Sequence, residues 1–177
     1  YNSTVKGTII FNDKIESVRQ NDEADPENII IPGFVDLHCH GGNGFDTMAG
    51  LSSIIEMSQY HLLNGTTSLL PTTLTATLDD TYKALEGLSN YIVQNKNLTN
   101  ILGVHLEGPF INPNKLGAQP KKTQLPNIDF IKKIKDKITI KVITLAPELE
   151  GTDDFIDFLI ANNIKVQIGH SLADYDC

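Results

Sequence analysis

The 177-residue chain is 40% hydrophobic and 20% charged, with 13 Gly and 8 Pro, an ordinary globular balance that excludes disordered, collagen-like and low-complexity classes. Its net charge of -8, with no Lys/Arg stripe interleaved with aromatics, predicts no nucleic-acid partner. No apolar run approaches the roughly 20 residues of a membrane-spanning helix, and Tyr1 to Thr4 form no basic-then-apolar leader, so the expected location is cytoplasmic, with no membrane partner.

Val5 to Val18 reads as short β structure punctuated by Gly7 and Asn12-Asp13, followed by a polar stretch from Arg19 to Asn28. Residues 1–31 are therefore expected to form a small β element and residues 32–177 an α/β body. In that body strand patterns fall at Phe34 to His38, Thr67 to Leu70, Ile101 to Leu106, Ile138 to Leu145 and Ile164 to Ile168. Helical patterns lie between them. Leu51, Ile54, Ile55, Ser58 and Leu62 share a face that stops before Gly65, and Thr77 with Asp80 makes a capping-box start ahead of Leu85, Leu88 and Ile92. Lys132, Lys133, Lys135 and Lys137 alternate with Ile131, Ile134 and Ile138 as the wet face of a short helix, and Thr152 precedes Phe155, Phe158 and Leu159. Strand-helix repetition implies parallel strands joined by right-handed crossovers, in either an open sheet or a closed barrel.

Chemically capable residues cluster at the C-terminal ends of four strands: His38 and His40, Thr72 and Thr73, His105 and Glu107, and His170. A barrel gathers such ends into one mouth, whereas an open sheet strings them along an edge. Gly41, Gly42 and Gly44 do not open a helix at once, which disfavours a nucleotide fold. Cys39 and Cys177 are too few for a disulfide framework, and the sequons at Asn2, Asn64 and Asn97 read as chance triplets.

His38 and His40 stand at i and i+2, on one side of a strand, a spacing that suits one metal ion, while Cys39 points toward the covering helices as a buried thiol. Glu107 ends the third strand after His105 and can bridge two ions, and His170 adds a nitrogen donor after the fifth. Mixed His and carboxylate donors suit Zn, Fe, Co or Mn rather than Ca. Such an ion lowers the pKa of its water from 15.7 to about 7, which favours hydrolysis by activated water; no Gly-x-Ser-x-Gly elbow offers a protein nucleophile instead.

Pro32 to Gly41, reading PGFVDLHCHG, resembles the first-strand signature of the amidohydrolase superfamily. The run His105, Leu106, Glu107, Gly108, Pro109, Phe110, with Gly117, Ala118 and Gln119 on the next loop, is similar to the N-acetylglucosamine-6-phosphate deacetylase family; Gly65 to Thr72, Leu145 to Glu148 and Gly169 to Ser171 fit it too. The resemblance implies a (β/α)8 TIM-like barrel, of which about five βα units are present in 32–177, beside part of a small N-terminal β-sandwich in 1–31. It implies hydrolysis of the N-acetyl group of a phosphorylated amino sugar, N-acetylglucosamine 6-phosphate, to acetate and glucosamine 6-phosphate. Glu107 and His170 then match ligands of a principal divalent metal, His38 and His40 match the pair that holds a second ion in two-metal members, and Ala118, beside Gln119, matches a substrate-contacting position.

Leu172 departs from the small polar residue expected after Gly-His-Ser, which bears on local loop contacts alone. By the same resemblance a further His and a general acid/base Asp are expected beyond Cys177, and the full-length enzyme is expected to be a homodimer. A barrel takes about 250 residues, and 146 follow Ile31, so the chain reads as a part of such an enzyme, inactive and poorly soluble by itself. Other readings are a sister amidohydrolase acting on a cyclic amide or deaminating a base, and an inactive half-barrel.

Overall fold

A computed structural model describes residues 4–88, 90, 92 and 99–177. Two compact units divide the chain between Pro32 and Gly33. The first is a hairpin of β1 (Gly7–Phe11) and β2 (Ile15–Gln20), antiparallel, with the turn at Asn12 and Asp13 where the sequence places it. The sequon at Asn2 lies outside the described residues, as does the one at Asn97; Asn64 is the C-cap of the first helix of the second unit.

The second unit is α/β with parallel strands. β3 (Phe34–Cys39) pairs with β6 (Thr66–Pro71) and β6 with β7 (Asn100–Ile101); β8 (Val104–Glu107) pairs with β9 (Ile140–Leu145) and β9 with β10 (Lys165–Ile168), all in parallel. A parallel bridge between Thr72, just past β6, and His105 in β8 joins the two sets. Gly41–Gly42 (β4) and Phe45–Asp46 (β5) form a small hairpin.

Each of the five predicted strands is present, with one change. The third is expected as one strand from Ile101, yet it breaks at Leu102 and Gly103. Leu102 N–H still donates to Leu69 O on β6 at 3.1 Å, whereas Val104 N–H donates to Thr139 O at 2.9 Å. The chain switches partners there, with Gly103 at φ +141°, and a Cβ would lie 2.4 Å from Thr139 O. Glycine is needed for that approach.

α1 (Leu51–Leu63) ends before Gly65 at φ +93°, as its pattern predicts. α2 (Leu78–Leu85) starts with Thr77 Oγ1 accepting from Asp80 N–H at 3.1 Å. It stops earlier than its apolar spacing implies, because the chain turns at Gly87, φ +83°; Leu88 and Ile92 are helical and pack on the core, with 89, 91 and 93–98 outside the described residues. α3 (Ile128–Lys135) buries Ile131 and Ile134 and leaves Lys132 and Lys133 in solvent. α4 (Thr152–Ala161) buries Phe155 and Leu159, with Asp153 and Asp154 favourably placed in the first turn. Thr152 is the first helical residue, not the cap, and its hydroxyl donates to Leu149 O at 2.6 Å. Between helices and strands Leu106, Phe110, Ile143, Leu145, Phe155 and Leu159 form the core, with the Phe110 and Phe155 rings edge to face at 5.0 Å. Among the described residues, no helix is long and apolar enough to cross a membrane.

Candidate metal centre

Polar residues meet where the strands end. His38 lies near the end of β3, with His40 just beyond it; Glu107 closes β8, and His170 follows β10. Glu107 is the hub, its side chain only 9% exposed. Its Oε2 lies 3.0 Å from His40 Nε2; its Oε1 lies 3.3 Å from His170 Nε2 and 3.7 Å from His38 Nε2. His38 Nε2 and His40 Nε2 are 3.0 Å apart. The four sequence-selected ligand candidates, drawn from three strand ends, thus come together as three imidazoles around the Glu107 carboxylate.

Imidazole orientation is fixed from behind. His40 Nδ1 donates to Thr72 O at 3.1 Å and His170 Nδ1 to Lys115 O at 2.9 Å. A carbonyl can only accept, so each Nδ1 carries a proton and, in the neutral ring, each Nε2 turns a lone pair to the site. Such nitrogens around a carboxylate form a donor set that a divalent ion fits, and His38, His40 and Glu107 offer ligand atoms within 4.8 Å of one another. His105, on the same face of β8 as Glu107, plays another part: Nδ1 donates to Leu37 O at 3.0 Å and Nε2 faces Thr144 Oγ1 at 2.7 Å, so both nitrogens are used.

Charges follow this geometry. The hydrogen bond to Glu107 raises the His40 pKa against the opposing effect of burial. Burial pushes Glu107 upward, but His40, then His38 and His170, outweigh it and hold the carboxyl below its ordinary range. Burial lowers the fully enclosed His105 and keeps it neutral. The Cys39 thiol is pushed up by burial and by Asp36, which leaves it a poor nucleophile.

His170 adopts φ +53°, a left-handed conformation uncommon outside glycine, which sequence reasoning had no means to anticipate. Gly169 precedes it where a Cβ would stand 2.6 Å from Thr144 Cγ2, and Asn112 N–H donates to His170 O at 3.0 Å. Two further residues have roles that the sequence reasoning did not give them. Gln119, expected beside a substrate-contacting position, is buried with Nε2 donating to Glu107 Oε2 at 2.5 Å and Oε1 accepting from Thr75 N–H at 2.7 Å; its neighbour Ala118 is exposed. Glu148 accepts from Asn112 Nδ2 at 2.9 Å, from Ser171 Oγ at 2.6 Å and from Leu172 N–H at 2.6 Å, tying the loop that carries His170 to the loop after β8. A rule that flags every acidic residue just past a strand end would have found Glu148; the Gly117, Ala118, Gln119 run marks the loop, but no pattern marks Gln119 as a partner of Glu107. A cleft of about 500 Å³ opens beside Gln119, lined by Thr75, Lys83, Pro120 and Lys122 among others, though Lys122 already faces Asp80 at 3.7 Å.

The chain is similar to sugar-phosphate deacetylases. Over 159 residues it is 36% identical to the N-acetylglucosamine-6-phosphate deacetylase of Bacillus subtilis (strain 168), a match spanning 86% of this chain and 40% of that protein. With the N-acetylgalactosamine-6-phosphate deacetylase of Escherichia coli O157:H7 the identity is 32% over 158 residues, 86% of this chain and 41% of the relative. The crystal structure of N-acetylglucosamine-6-phosphate deacetylase from Thermotoga maritima superposes with a TM-score of 0.80 at 34% identity, covering 92% of this chain and 43% of that one. No protein-family model matches the chain. The chain spans about 40% of the length of these two curated relatives.

Proposed function

We propose that this chain is part of a metal-dependent N-acetylglucosamine-6-phosphate deacetylase, which hydrolyses the acetamide of its phosphorylated amino sugar to acetate and glucosamine 6-phosphate. One observation carries the reading: the buried Glu107 carboxylate has the Nε2 atoms of His40, His170 and His38 at 3.0, 3.3 and 3.7 Å, in a chain similar to such enzymes along 86% of its length. In this reading the parallel strands belong to a (β/α)8 barrel whose strand ends share one mouth.

Glu107 and His170 would hold one divalent ion, and His38 with His40 a second. The metal, of the Zn, Fe, Co or Mn class, supplies Lewis acidity to the acetamide carbonyl and to water, the two requirements of amide hydrolysis at neutral pH. The protein's own contribution is orientation. Thr72 and Lys115 carbonyls hold the protons of His40 and His170 away from the site, and His105 adds no charge. Gln119 stops the Glu107 carboxylate from turning. The proton shuttle is assigned to an Asp beyond Cys177, and the active form to a homodimer, which sedimentation would verify.

The test is acetate release by the full-length protein from N-acetylglucosamine 6-phosphate, with the galactosamine epimer in parallel because one relative acts on it. Faster turnover of the glucosamine substrate, at least two ions per chain under excess metal, and loss of activity to background in Glu107→Gln are expected. An enzyme that ignores both sugars but opens a cyclic amide or deaminates a base belongs to a sister amidohydrolase. Fewer than two ions would refute the paired site.

A further inference from the structure

At the end of β3 a second set of ligand types converges, separate from the residues around Glu107. A carboxylate oxygen of Asp36, Cys39 Sγ and a ring nitrogen of His61 all lie within 4.8 Å of one another. Cys39 Sγ is 3.1 Å from His61 Nε2, and Gly41 O lies 3.4 Å from that sulfur and 3.2 Å from that nitrogen. Three features mark the arrangement as a built enclosure. Cys39 is 5% exposed and packs with the fully buried Met57 and Leu69, so water has little access to the sulfur. His61 reaches in from the last turn of α1 through a space kept by Gly42, where a Cβ would stand 2.8 Å from His61 Nε2. Asp36 uses Oδ1 to accept from His38 N–H at 3.0 Å, and its other oxygen can turn to a ligand.

We propose that Asp36, Cys39 and His61, with the Gly41 carbonyl as a fourth donor, form a binding site for a thiophilic divalent cation of the zinc class, distinct from the centre at Glu107. One sulfur, one imidazole nitrogen and oxygen donors make a zinc-type set, and the thiolate discriminates against magnesium and calcium. On binding, the thiol proton passes to solvent. The ion would tie α1 to β3, the strand that carries His38 and His40, and so brace that pair. None of these three side chains is a ligand candidate of the Glu107 centre, so the inference stands apart from the proposed deacetylase reading.

Cobalt(II) separates the two sites in the full-length protein, because sulfur-to-cobalt charge transfer absorbs in the near ultraviolet and the Glu107 centre holds no sulfur. The band is expected in the parent and in Cys177→Ser, to persist in Glu107→Gln, and to vanish in Cys39→Ser with the loss of one bound cobalt per chain. His61→Ala, checked for folding by its melting curve, is expected to lose the band as well, and it decides the matter should Cys39→Ser fail to fold. A parent with no such band at saturating cobalt, a band that survives Cys39→Ser or His61→Ala, or one that disappears in Glu107→Gln overturns the proposal.

Discussion

Glu107 can serve as a hub because a neutral amide, and not a cation, lies against its second face. A lysine in place of Gln119 would neutralise the carboxylate and compete with a metal, whereas the Gln119 amide orients Oε2 and leaves its charge intact. The amide is itself fixed, since Thr75 N–H donates to its oxygen and so decides which end faces Glu107. Gln119→Leu is therefore expected to weaken divalent-metal binding by about 10–100-fold, the usual effect of removing a hydrogen-bond partner of a ligand, with little change in the circular-dichroism spectrum. Calorimetric titration of the full-length protein with zinc measures this directly. Gln119→Glu sets a like charge against Glu107, which raises the carboxyl pKa, so metal uptake should begin at a higher pH than in the parent. An onset that does not move would show that Gln119 does not face Glu107 in solution.

Elements contribute by where they stop. Period-two alternation puts His38 and His40 on one side of β3, and the rule that strand ends carry chemistry finds Glu107 and His170; these parts of the site are readable because they depend on local geometry. What escapes the sequence depends on contacts between distant loops. Gly103 as a partner switch, Gln119 as a clamp and the left-handed backbone at His170 each need a neighbour from another segment. Glu148 belongs to the same class. Burial would raise its pKa, but hydrogen bonds from Leu172 N–H, Ser171 Oγ and Asn112 Nδ2 outweigh that and lower it from 4.5 to about 2. Because the folded value lies below the unfolded one, the stabilisation is complete above about pH 4.5 and fades as pH falls through about 2. Glu148→Gln should cost about 1 kcal/mol at pH 7, less than is usual for charged hydrogen bonds because Glu148 is partly open to solvent, and the gap from the parent should close toward pH 2. Thermal melts of the full-length pair at pH 7, 4 and 3 test this, and a gap independent of pH would refute the ionised brace.

At the scale of the molecule, alternating strand and helix signals make the α/β class and the parallel order readable, since each crossover is local in sequence. What they leave open is which apolar faces find cover. Parallel strands are ordinarily buried on both faces, yet in β3 Phe34, Val35 and Leu37 are 59%, 58% and 51% exposed, and in β10 Ile168 is 71% exposed. These two strands are the outer members of the parallel set and so present unpaired backbone N–H and C=O groups beside bare apolar side chains. The same faces would be covered in a protein as long as the curated relatives, of which this chain spans about 40%. A polypeptide of residues 1–177 alone is therefore expected to elute from size exclusion as broad, high-mass species, to bind a hydrophobic dye strongly and to release no acetate. The full-length protein should elute as one sharp species with weak dye binding. Lys or Glu substitutions at Val35 and Ile168 should sharpen the elution of the short polypeptide, because charges on an edge oppose edge-to-edge pairing. A 177-residue product that is monodisperse, melts cooperatively and deacetylates the sugar phosphate would show that these edges need no cover.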